Sequence, residues 1–116
     1  MEMIEKWVRE MVLELNDVGI NVDKVILFGS FAKGTFAEGS DVDLIVISED
    51  WSELNQIERI KLLYRIWDKP LDANFLAYTP EEFEKKLNES VVLRDASKYW
   101  KVIYAREGRK SQNTCA

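Results

Sequence analysis

The chain has 116 residues, 47% of them apolar, and a formal charge of −5. That length supports one compact domain with one core, and the acidic balance disfavours a direct grip on a nucleic-acid backbone. Histidine is absent and Cys115 is the only cysteine, which excludes an intrachain disulfide and Ser–His or Cys–His catalysis and argues against a zinc centre.

The opening residues Met1 to Lys6 are charged and lack a signal-peptide pattern, and no apolar run approaches the roughly 20 residues that span a bilayer. The expectation is a cytoplasmic protein without a membrane partner. Ile4, Trp7, Val8, Met11, Leu15 and Val18 recur at helical spacing before Gly19, so a helix is predicted over 2–18. The apolar run Val25 to Phe28 predicts a buried strand ending at Gly29-Ser30. A short helical turn is expected over Phe31 to Gly34, then a polar loop to Ser40.

Asp41 to Ser48 reads as a second strand. Leu54, Ile57, Ile60, Tyr64 and Trp67 predict one long helix over Trp51 to Trp67. Pro70 introduces a third strand, Leu71 to Tyr78. Thr79-Pro80-Glu81-Glu82 supplies an N-cap, a proline at the first helical position and a capping-box acid, so a helix is predicted from Pro80 to about Leu87, resuming around Val91 to Ser97. Trp100 to Ala105 is the last expected strand. The organisation expected is one domain over 1–108 and a polar tail over 109–116. The alternation of elements argues an α/β or α+β sheet with helices packed on it.

The chemistry concentrates in Gly29 to Leu44. Asp41 and Asp43 are two apart on a strand and point the same way, so their carboxylates can converge above the sheet. Two like charges there are costly; a divalent cation removes that cost, and an all-oxygen ligand set favours Mg²⁺ or Mn²⁺. Gly29 lets a phosphate approach the backbone, Ser30 adds a hydroxyl donor, and Lys33 can neutralise phosphate charge. Asp72, sharing a strand face with Asn74, is the candidate third carboxylate; Asp68, at a helix end, is its rival. Gly34 and Gly39 have P-loop spacing, but Ser40-Asp41 stands where Lys-Ser/Thr is required. An EF-hand fails because Ile45 occupies a ligand position. The four tryptophans read as core or groove aromatics, and the basic residues from Arg94 to Lys110 as a solvated face.

Gly29-Ser30, ten residues, then Asp41-Val42-Asp43 resembles the GSx10DxD signature of the DNA polymerase β-like nucleotidyltransferase superfamily. The small size resembles its minimal (MNT) branch, whose members include MntA-like antitoxins encoded beside HEPN-domain partners. The resemblance implies a mixed four-stranded sheet flanked by helices and ATP as donor. By motif position it implies Gly29 and Ser30, with Lys33 and Ser40 nearby, on the triphosphate. Asp41, Asp43 and Asp72 would then hold two Mg²⁺, with Mn²⁺ as an alternative. It further implies adenylylation of a tyrosine on a HEPN-type partner. Many relatives carry a basic residue after Gly-Ser, where this chain has Phe31; that departure implies either weaker phosphate binding or a shift of the load to Lys33.

Two functions of different class follow as expectations. One is an antitoxin enzyme that transfers AMP to a protein hydroxyl, with the acceptor site borrowed from the partner. The other is a module that neutralises its partner by contact alone. Transfer to a small molecule such as an aminoglycoside is a weaker third reading, and self-association stays open.

Overall fold

The computed structural model describes residues 2–34, 41–89 and 99–106. Helix α1 (Glu2–Asp17) leads into strand β1 (Lys24–Phe28), the short helix α2 (Gly29–Lys33) and strand β2 (Val42–Ile47). A 3-10 turn (Glu49–Glu53), helix α3 (Gln56–Ile66), strand β3 (Ala73–Tyr78), helix α4 (Pro80–Glu89) and strand β4 (Lys101–Ala105) complete it. The sheet order is β3-β2-β1-β4. β1 is antiparallel to both β2 and β4, while β2 and β3 run parallel. The mixed four-stranded sheet is the one expected.

Strand alternation divides the side chains between two faces. Val25, Leu27, Val42, Leu44, Val46, Ala73, Phe75 and Ala77 point into the main core, with Ile4, Val8, Met11, Val12 and Leu15 of α1 and Leu63 of α3. Ile26, Ile45 and Ile47 point the other way, into a smaller cluster with Phe28, Leu76, Tyr78, Trp100 and Phe83 of α4. Asp43 and Asn74 occupy this second face, at the N-terminal ends of β2 and β3.

α1 ends in a Schellman arrangement: Gly19, at φ +95°, donates to Asn16, and Ile20 donates to Leu15. Val18 falls in this cap and is 57% exposed rather than part of the buried stripe. The long helix expected over Trp51 to Trp67 is two elements. Asn55 accepts from the Glu58 backbone N–H while Glu58 accepts from Asn55, a capping box that starts α3 at Gln56. Before it, Ser48 caps the 3-10 turn, which drops Trp51 into the core with its indole N–H on the Val46 carbonyl, 3.1 Å away. Ile57, counted in the apolar stripe, is 67% exposed, and Tyr64 is exposed with one ring edge against Phe75.

The Thr79 capping box is present as read: Thr79 and Glu82 exchange side-chain-to-backbone bonds. Trp51 and Trp67 are buried, Trp7 meets Trp67 edge-on, and Trp100 packs on Phe83, in keeping with core roles. Arg106 is pinned rather than loose: its backbone N–H donates to the Asp23 carbonyl and its guanidinium lies 2.8 Å from the Asp23 carboxylate. The helix expected at Val91 to Ser97 and the tail from Arg109 lie outside the described residues.

Candidate active site

Three strand ends build the site. β2 supplies Asp43 directly, and Asp41 is the exposed residue just before Val42. Antiparallel pairing sets Phe28 opposite Asp43, so the turn after β1 begins beside that carboxylate. Parallel pairing sets Asn74 of β3 opposite Asp43 on the other side. The same ladder continues through the Val42 N–H, which donates to the Asp72 carbonyl at 2.9 Å, bringing exposed Asp72 to the level of Asp41.

Gly29 and Asp43 fit only because Gly29 lacks a side chain. Gly29 has φ +75°, and a Cβ built on it would lie 2.1 Å from Asp43 Oδ2 and 2.9 Å from its Cγ. Both backbone sign and space therefore demand glycine. The Gly-Ser and Asp-x-Asp elements, ten residues apart in sequence, are in direct steric contact.

On the far side, one amide nitrogen reaches both acids. Asn74 Nδ2 donates to Asp43 Oδ1 at 3.2 Å and to Asp41 Oδ2 at 3.3 Å. Burial pushes the Asp43 carboxyl above its ordinary pKa; the Asn74 bond opposes this and the Asp41 charge adds to it. Asn74 entered the sequence reading only as the strand-face neighbour of Asp72. Its role was readable only once β3 had been paired in parallel with β2 at this register.

The other candidates are placed less centrally. Ser30 lies in α2 behind Gly29. Lys33 ends α2, exposed, with its ammonium 5.1 Å from the centre of the Tyr99 ring. Phe31 is half-buried and packs on the main core, which accounts for an apolar residue there. Ser40 lies outside the described residues. Asp68 is exposed beyond the end of α3. Among the described residues, no three Asp, Glu, Cys or His side chains form a group that could enclose a metal ion unaided. What the arrangement offers is a pair of acids with hard oxygen donors, and a third on the same sheet face.

Residues 5–105 match the nucleotidyltransferase domain family. Two Methanocaldococcus jannaschii proteins that carry protein adenylyltransferase as a provisional name are similar to this chain. One is 30% identical over 89 residues, covering 74% of this chain and 84% of that protein. The other is 34% identical over 59 residues, covering 51% of this chain and 57% of that protein. The chain thus spans little more than half the length of the second relative. A crystal structure of a toxin–antitoxin with AMP-PNP shares the fold, with a TM-score of 0.62 and 22% identity over 93% of this chain and 78% of the other. Among the described residues, no helix is long and apolar enough to cross a membrane.

Proposed function

The chain belongs to the nucleotidyltransferase domain family, and on that premise we propose that it transfers AMP from ATP to a protein hydroxyl. The acceptor in this reading is a tyrosine on a HEPN-type toxin, so that the protein serves as a cytoplasmic antitoxin. The observation that carries the chemistry is the Asp41–Asp43 pair, tied together by Asn74 and set against the Gly29 turn.

The donor set fits Mg²⁺. Two like charges share one face, the donor between them among the described residues is the neutral Asn74 amide, and the carboxylates offer hard oxygen atoms. Asp41 and Asp43 would hold two Mg²⁺, or Mn²⁺, with Asp72 as third carboxylate. When bound, the ions supply the positive charge that neutralises the triphosphate and the in-line displacement at the α-phosphorus. The chain's own groups do the rest. In this reading Gly29 admits the triphosphate to the backbone and Ser30 adds a donor, with Lys33 and, by motif position alone, Ser40 as further phosphate contacts. Asp72 stands exposed beside Asp41, where a carboxylate can accept the acceptor's proton. The acceptor oxygen bonds to the α-phosphorus as pyrophosphate leaves.

A protein acceptor takes its support from the names of the archaeal relatives. A toxin-type partner takes it from the MNT resemblance and from the toxin–antitoxin that shares the fold. Incubation with labelled ATP, Mg²⁺ and a HEPN-type partner should place label on a partner tyrosine. Absence of label under every metal condition would sink the reading. Phe31, packed into the core where relatives carry a basic residue, favours one alternative: neutralisation by contact alone. Full neutralisation by the Asp41→Asn/Asp43→Asn variant would establish that alternative.

A further inference from the structure

Asp43 is flanked on both sides, by the Gly29 turn that follows β1 and by Asn74 of β3. On the β1 side its Oδ2 occupies the space a Cβ on Gly29 would fill. On the β3 side its Oδ1 accepts from Asn74, and the same Asn74 nitrogen takes Asp41 Oδ2. A terminal amide nitrogen has two hydrogens, so one group can serve both acids at once. Asp41 lies outside the strand and is exposed; the bond to Asn74 ties its carboxylate to that of Asp43.

We propose that Asn74 is a positioning residue for the metal centre. Its forked amide gathers the Asp41 and Asp43 carboxylates into one cluster before a cation arrives and orients them once it is bound. The inference builds on the two-carboxylate reading of the site and extends it to a residue outside the Gly-Ser and Asp-x-Asp elements. Partners that orient metal-binding carboxylates commonly change metal affinity by about 10- to 100-fold when removed. A side chain in this position works on both acids together, because one nitrogen bridges them.

The test is a Mn²⁺ titration of the full chain, followed by calorimetry, on four proteins stripped of metal with chelator. These are the parent, Asp41→Asn/Asp43→Asn, Asn74→Leu and Asn74→Ser. Leucine keeps the approximate shape without donors, and serine keeps one short donor. The expected result is binding by the parent, none by the double variant, roughly tenfold weaker binding by Asn74→Leu and a partial recovery in Asn74→Ser. Metal-free melting temperatures of the two Asn74 variants should match the parent within a few degrees, which separates positioning from folding. If Asn74→Leu fails to fold, the serine variant carries the comparison alone and should bind several-fold more weakly than the parent. Parent-like or tighter binding in the folded Asn74 variants would overturn the proposal and leave the carboxylate site standing. No Mn²⁺ binding by the parent would overturn both.

Discussion

Two polar clusters in this small domain are built on opposite principles. At the junction of α3, β3 and α4, Arg59 is 4% exposed and its guanidinium makes four hydrogen bonds. It donates to the Leu54 carbonyl at 2.9 Å, to the Ala77 carbonyl at 3.1 Å and to both oxygens of Glu82 at 2.7 and 3.2 Å. Glu82 in turn accepts from the Thr79 N–H. At the ends of β2 and β3, Asp41 and Asp43 carry the same charge and share one neutral donor. The first cluster is electrostatically closed, so it serves to hold elements together. The second, among the described residues, is held by a neutral amide with no cation paired to it, an arrangement suited to a metal cation. The contrast separates charge that holds the fold together from charge that is placed for the proposed chemistry.

The largest effect should come from neutralising the open cluster. Asp41→Asn/Asp43→Asn should lower nucleotidyl transfer on the order of 10³-fold or more. Its metal-free melting temperature should hold or rise, because repulsion is removed. A melt in chelator beside a labelled-ATP assay checks both halves; a strongly destabilised variant would erase the distinction between the clusters. Arg59→Leu should do the reverse. It takes the guanidinium donor from the Leu54 and Ala77 carbonyls, of which Ala77 keeps its bond from Gln56 Nε2 at 3.0 Å. It also removes the countercharge of Glu82; the cost is at most about 3 kcal/mol by analogy with broken buried pairs, since Glu82 is partly solvated. Urea denaturation measures the loss, and transfer per folded molecule should be unchanged.

Gly29→Ala probes the boundary between the two roles. The positive φ alone costs roughly 1–2 kcal/mol for a residue with a side chain, and the new methyl must displace Asp43. Gly19→Ala is the control: its φ is also positive, but no atom lies within 4 Å of the added Cβ. Both variants should lose stability, Gly29→Ala by the larger amount. Only Gly29→Ala should lose the Mg²⁺-dependent thermal shift with ATP. Equal retention of that shift would break the steric link between the Gly-Ser turn and the acids.

Much of this was readable from the residues alone. The apolar runs at Val25 to Phe28 and Leu44 to Ile47 are strands because they are buried on both faces, and Gly-Ser followed by Asp-x-Asp points to the candidate site. The break inside Trp51 to Trp67 was missed because apolar spacing runs across it. The signal was present in Asn55 and Glu58, three apart, which outranks periodicity once the box closes. Arg59 was overlooked for a different reason: an arginine at a helical position reads as solvated, and its partners Ala77 and Glu82 lie 18 and 23 residues away. Asn74 depended on strand register, which no local pattern encodes.

The smallest effect concerns acid, and it follows from the sign of one ionisation. Glu82 titrates below its ordinary value of 4.5, chiefly through its hydrogen bond to Arg59, with help from Thr79. A carboxylate depressed in the folded state binds protons more readily when unfolded. Its contribution to stability is therefore complete above about pH 4.5 and is lost as the pH falls through the lower folded value. Glu82→Gln keeps the oxygen that serves the Thr79 N–H but discards the charge facing Arg59. The parent should thus melt slightly above Glu82→Gln at neutral pH, with the gap narrowing in acid below pH 4.5. The difference should be small, since Glu82 is 43% exposed and water screens the pair. Mg²⁺ should leave the gap unaltered, as the closed cluster has no place for a cation. A gap that widened in acid, or that responded to Mg²⁺, would show that the two clusters are not independent.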